Sequence, residues 1–360
     1  MQALKIGTRV GQSTGQVELN ASKFNRHTFW CGQSGSGKTY ALGVVLEQLI
    51  LHTQLPMLIM DPNADFAKLG STRPEADPDE AQGIRNASMH VLNTTAPDGE
   101  RLNIRFTDMS AAAKAAVLRL DPVLDAEEYN ALLHLEGEAR SFDDAEFIAN
   151  LRASGDSGQV RLAYRIENLQ VLGWDLWSRG GTSACDIVDA RPRVTVMDLG
   201  GFAHPEEPKV AALGVLEHLW ATRQSRKPIL IVIDEAHNLC SPNPVTPVEK
   251  ALTEQLIQIA AEGRKFGLWL FLSTQRPTKI HPNVLSQCDN LGLMRVNSPR
   301  DLKEVGEVFG FVPTELLEQA KGFAQGQGLF AGGFVAEPTL NQMRDRITLE
   351  GGGDVKVPLV

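Results

Sequence analysis

Five stretches of this chain are apolar almost without interruption and close on a charged, hydroxyl or thiol side chain or just beyond one: Thr28–Cys31, Met57–Asp61, Val194–Leu199, Ile229–Asp234 and Leu268–Thr274. Runs without polar alternation are characteristic of strands buried on both faces, and such strands occur in parallel sheets covered by helices. After the first run, Ala41, Leu42, Val44, Val45, Leu46, Leu49, Ile50 and Leu51 follow helical spacing, and further helical segments lie near 208–224 and 247–262. The pattern predicts an α/β protein with a helix-covered, mainly parallel sheet.

Elsewhere the pattern changes. Ile6–Val10 and Gln16–Leu19, separated by Gly11 to Gly15, predict a short β-hairpin within 1–26. From 107 to 189 the chain turns helical, with Ser110 as a cap and segments at 125–140, 142–153 and 159–177. The expected organisation is a hairpin at 1–26, a sheet core at 27–106 and 190–341, a helical insertion at 107–189, and a C-terminal tail or arm at 342–360. Pro74, Pro78 and a concentration of acids predict an exposed loop over 71–83. The acid pairs Glu127-Glu128 and Asp143-Asp144 read as helix N-terminal charges rather than as acid-base catalysts.

Composition narrows the class. With 42% hydrophobic and 22% charged residues in 360, the chain supports a large folded core. The sequence shows no membrane-length apolar run and no signal segment, so the expected location is cytoplasmic. Cys31, Cys185, Cys240 and Cys288 form no C-x-x-C pair, which argues against a disulfide framework or a zinc site. A net charge of −9 means that contact with nucleic acid requires a local basic strip. Lys209, Lys250, Lys279 and Arg300 lie near predicted loops without forming one.

The candidate chemistry begins at the first apolar run. Gly32-Gln33-Ser34-Gly35-Ser36-Gly37-Lys38-Thr39 fills every position of G-x-x-x-x-G-K-[ST] between a strand and a helix, the context in which that motif cradles a nucleoside triphosphate. Its glycines let backbone N–H groups turn onto phosphate, Lys38 reaches the β and γ oxygens, and the Thr39 hydroxyl holds Mg²⁺. Tyr40 continues the binding segment into the helix. The run Ile229–Ile233 ends on Asp234-Glu235, one acid for the Mg²⁺ shell and one for an attacking water. Ser273-Thr274-Gln275 ends the next run, with Gln275 the candidate γ-phosphate sensor. Arg264 closes a helix, where a cation also suits the helix dipole, and both roles stay open on the residues alone.

Together these segments resemble the HerA/FtsK superfamily of ring-forming DNA-pumping ATPases, the HerA branch in particular. The resemblance rests on Arg26-His27, Gly32–Thr39, Asp61-Pro62-Asn63-Ala64-Asp65-Phe66, Ile233–His237, Glu262–Lys265, Ser273–Pro277 and Leu285–Cys288, in that order along the chain. It implies a RecA-like, additional-strand P-loop NTPase using ATP and Mg²⁺, with Arg264 as an arginine finger to a neighbouring subunit and Arg26 as a second cation near phosphate. It also implies a homo-hexameric ring that translocates or processes double-stranded DNA. HerA proteins usually carry an N-terminal β-barrel that docks an effector, whereas about 25 residues precede the loop strand here. Two other functions fit the same engine: a hexameric scaffold that assembles and controls a separate effector such as a nuclease, and a secretion or conjugation ATPase.

Overall fold

A computed structural model describes residues 2–11, 15–97, 100–134 and 144–352. Among the described residues eleven strands form one sheet: β1 (Ala3–Arg9), β2 (Gln16–Asn20), β3 (His27–Cys31), β4 (Met57–Asp61), β5 (Met89–Leu92), β6 (Val194–Asp198), β7 (Ile229–Ile233), β8 (Leu268–Thr274), β9 (Cys288–Leu293), β10 (Gln327–Gly332) and β11 (Thr339–Met343). Their order is β2-β1-β11-β10-β9-β3-β8-β7-β4-β6-β5. The strands from β9 to β5 in that order are all parallel, and β10, β11, β1 and β2 add antiparallel neighbours at one side.

Each central strand buries both faces. Phe29, Leu58, Met60, Ile231 and Ile233 pack beneath helices Glu207–Ala221 and Pro247–Glu262 and the helical segment between β5 and β6. Trp30, Ile59, Leu230 and Val232 pack on the opposite side with Val44, Val45 and Leu49 of the helix Lys38–His52. The uninterrupted apolar runs follow from this two-sided cover. All four cysteines are buried free thiols. No helix among the described residues is long and apolar enough to cross a membrane.

The hairpin forms, but through β1 and β11 it is an integral edge of the sheet. The 71–83 segment is not simply an exposed loop. Pro78–Arg85 is a helix whose first N–H groups, on Asp79 and Glu80, bond the Asp77 carboxylate, and it buries Ala81 and Ile84. Its acids and prolines are helix-start signals. The expected tail is likewise anchored as far as residue 352. Glu47, buried on the Lys38–His52 helix, accepts from the backbone N–H of Ile347 and Thr348 at 2.9 Å and pairs with buried Arg346 at 3.3 Å. Gly351 N–H then bonds Asp65 O at 3.0 Å, where a Cβ would meet Ala64 O at 1.8 Å. Residues 353–360, the apolar end of the expected arm, lie outside the described residues, as does Asp143. Glu127 and Glu128 occupy a first helical turn as expected.

Candidate active site

The carboxyl ends of β3, β8, β7 and β4 are neighbours, so the segments leaving them converge. Between β3 and its helix, Gly35 and Gly37 take φ of +72° and +84°, which L side chains adopt only with strain. The loop is braced from beneath: Gln33 N–H bonds Arg295 O, Gly326 N–H bonds Ser36 O, and Arg295 reaches Gly35 O at 3.1 Å.

Lys38 is buried and held by three groups. Its Nζ donates to Asp234 Oδ1 and Ser273 Oγ, both at 2.9 Å, and lies 3.3 Å from Glu235 Oε1. Burial alone would depress the ammonium, but Asp234 and Glu235 outweigh it and hold the lysine above its ordinary value. Glu235 is opposed in the same way: burial pushes it up, while the hydrogen bond from His237 and the charge of Lys38 bring it down to about 2. It is therefore a carboxylate at neutral pH.

Two further acids stand beside Asp234. Asp61 and Asp65 each place a carboxylate oxygen within 4.8 Å of the others and of Asp234. Burial raises Asp61 to about 6 against N–H bonds from Phe66 and Asn63, and burial with the charges of Asp61 and Asp234 raises Asp65 to about 7. Asp234 Oδ2 is buried without a hydrogen-bond partner. Crowded carboxylates with an unpartnered oxygen are what a hard divalent cation satisfies, so the donor set fits Mg²⁺.

The other expected groups separate into two sets. Gln275 is at this centre, its backbone N–H 3.4 Å from Glu235 Oε2. Tyr40 turns toward the C-terminal strap, its hydroxyl accepting from Arg346 N–H at 2.8 Å beneath the Arg73 guanidinium. Arg264 lies in the turn before β8 and Arg26 directly before β3, both at the amino ends of the strands. β8 is seven residues, about 20 Å, long, so neither arginine serves its own chain's phosphate loop. Arg26, expected as a second cation near phosphate, thus stands away from its own chain's phosphate loop. Arg264 instead bonds Asp289 at 2.5 Å, and both arginines sit close enough to buried His27 to oppose its protonation.

Sequence reasoning quoted Asp61, Asp65, Ser273, Thr274 and His237 but assigned them no role, because only the strand order brings them to Lys38 and Glu235. A roomier cleft of about 1290 Å³ at the helical insertion, lined by Ile148, Ile166, Leu172, Trp174 and His204, contains none of this chemistry.

A family model described as "Helicase HerA, central domain" matches residues 4–160, running past residue 106 into the helical segment. The DNA double-strand break repair helicase HerA of Saccharolobus solfataricus is 35% identical over 94% of this chain and 67% of its own length. The chain belongs to the HerA family. Two solved structures share the fold of this HerA-family chain at low identity. VirB4 of Thermoanaerobacter pseudethanolicus has a TM-score of 0.65 at 14% identity, covering 95% of this chain and 96% of its own. The plasmid coupling protein TrwB in complex with ADP and Mg²⁺ has a TM-score of 0.60 at 12% identity, covering 97% and 95%. The sheet is thus that of the RecA-like P-loop ATPases.

Proposed function

We propose that this HerA-family chain hydrolyses ATP as a subunit of a cytoplasmic homo-hexameric ring that translocates or processes double-stranded DNA. The observation that carries the hydrolase reading is the meeting of Lys38 with Asp234 and Glu235 at the mouth of the Gly32–Thr39 loop. A module that only binds nucleotide has no use for a second, ionised acid there.

The residues act as follows. Backbone N–H groups of the loop bind the phosphates, and Lys38 exchanges its carboxylate partners for the β and γ oxygens. Thr39 and Asp234, with Asp61 and Asp65 beside Asp234, would hold Mg²⁺, which would supply charge neutralisation of the triphosphate. Glu235 orients a water whose oxygen bonds to the γ-phosphorus as the bond to the β,γ-bridging oxygen breaks, and the water's proton passes toward the carboxylate. Gln275 monitors the γ position. Arg264 and Arg26, beyond reach of their own site, act on a neighbour's nucleotide, which makes turnover depend on the ring. The DNA cargo is supported by the name of the Saccharolobus relative.

The test is ATP hydrolysis with and without linear double-stranded DNA at low and moderate salt, with oligomer size measured in the same samples. Salt-sensitive stimulation of a ring-sized species supports the motor. A hydrolysing ring indifferent to DNA replaces it with the effector-controlling scaffold, and an absence of hydrolysis defeats both.

A further inference from the structure

Asp234 and Glu235 are consecutive at a strand end, and a regular strand sends consecutive side chains to opposite faces. Here both reach the same lysine ammonium, because Glu235 takes φ +44°, ψ +48° and breaks the alternation. That left-handed conformation costs a side-chain-bearing residue about 1–2 kcal/mol, so something must hold the carboxylate where the bend aims it. The next turn, Ala236–Asn238, is fixed by Asn238 N–H to Glu235 O at 2.9 Å and projects His237 back onto the acid.

The tethers on the Glu235 carboxylate are Lys38 at 3.3 Å, the Gln275 N–H at 3.4 Å and His237 Nδ1 at 3.2 Å. Lys38 is the one that phosphate takes away. The Gln275 bond is at the limit of hydrogen-bond length. His237 Nδ1 also lies 3.1 Å from Thr274 Oγ1, which itself accepts from Arg276 N–H at 3.0 Å at the end of β8. An Nδ1 lone pair facing a carboxylate is repulsive, so we assign the hydrogen to Nδ1, where it bonds Thr274 Oγ1 with the Glu235 carboxylate 3.2 Å away.

Resting on the hydrolase reading above, we propose that His237 is the positioning residue for Glu235, its Nδ1 tying the carboxylate to Thr274 so that the water-orienting group keeps register with the sensor strand once nucleotide has claimed Lys38. His237 touches neither phosphate nor metal in this role. It acts only through Glu235.

The experiment is steady-state ATP hydrolysis and fluorescent-ATP binding by the full chain as wild type, His237→Ala, His237→Asn, Thr274→Val, Glu235→Gln and the double variant His237→Ala/Glu235→Gln. His237→Ala should lower kcat by about 10- to 100-fold, the scale of a misplaced catalytic group, and leave nucleotide affinity and KM within about twofold. His237→Asn, whose amide nitrogen stands close to where Nδ1 stands, should recover most of the rate. Thr274→Val should show a smaller loss of the same kind. In the Glu235→Gln background, His237→Ala should change nothing further, because a group acting through Glu235 has nothing left to position. Equal defects in the alanine and asparagine variants overturn the proposal, as does a full additional loss in the double variant or an effect confined to KM. If the alanine variant fails to fold, the asparagine and Thr274→Val comparison decides. A wild type that does not hydrolyse ATP defeats the hydrolase reading and this inference with it, whereas wild-type turnover with an unaffected His237→Ala defeats this inference alone.

Discussion

The two ends of the parallel strands are opposites. At the carboxyl end, Lys38 is 6% exposed and saturated by Asp234, Glu235 and Ser273, and the surrounding carboxylates outnumber the cation. At the amino end the cations are outermost: Arg26 is exposed and Arg264 is half-buried against a single exposed acid, Asp289, while His27 beneath them is neutral. One end is organised to receive a polyanion together with a divalent cation. The other presents positive charge that its own polyanion, about 20 Å away, never meets. In the ring proposed above, the amino end of one copy faces the carboxyl end of the next, and each nucleotide site is completed by a neighbour.

The largest effects should separate binding from chemistry at the carboxyl end. Lys38→Ala should abolish nucleotide binding in a fluorescence titration. Glu235→Gln should retain binding and reduce kcat by up to about 10⁴-fold, the upper range for general-base groups. Loss of binding in both variants would break the division of labour assigned to these neighbours.

Next comes the amino end. Arg264→Ala should lower hydrolysis by the assembled protein about 10³-fold, as removal of a trans-acting arginine does, while nucleotide affinity of the isolated chain stays unchanged. Mixing it with Glu235→Gln subunits should restore part of the rate at hybrid interfaces. An equal loss of affinity in the isolated chain would place Arg264 at its own site and contradict the geometry.

A smaller effect concerns His27, whose Nε2 donates to Ala260 O at 3.0 Å and whose Nδ1 accepts from Leu270 N–H at 2.9 Å. Burial and the charge of Arg264 lower it from 6.5 to about 4. The folded state therefore takes up this proton less readily than the unfolded chain. The associated stability is complete above pH 6.5, is lost as pH falls from 6.5 toward 4, and levels off below, amounting to about 3 kcal/mol at about 1.4 kcal/mol per pH unit. Asp61 and Asp65, raised to about 6 and about 7, give the opposite slope over the same range, so the His27 contribution is read as the difference in denaturant midpoints between wild type and His27→Gln, which has no such proton to bind. The smallest expected change is for Asp289→Asn, which frees Arg264 from an exposed pair worth under about 1 kcal/mol. Hydrolysis by the assembled protein should move less than about twofold, and a collapse of activity would show that Asp289 aims the arginine.

Much of the carboxyl end was legible because its chemistry is contiguous: a phosphate loop is eight consecutive residues, and Asp234-Glu235 directly ends an aliphatic strand. Asp61, Asp65, Ser273 and His237 were readable as residues but not as members of one site. The packing of Arg346 and Thr348 was not legible, because the buried Glu47 that receives them stands some 300 positions earlier in the chain. The helix at Pro78 was mistaken for a loop because cap, proline and acids serve both.

Local order in the chain determined the strands, their buried character and the phosphate-binding loop, since each depends on spacing within about ten residues. Only the tertiary structure decided that β4 lies beside β7 and brings Asp61 and Asp65 to Asp234, that a left-handed Glu235 turns two consecutive acids onto one lysine, and that Arg26 and Arg264 stand at the wrong end of the sheet for their own nucleotide. The reason is physical: strand order, chain reversal and sheet length are set by long-range packing, and no local pattern of side chains carries that distance.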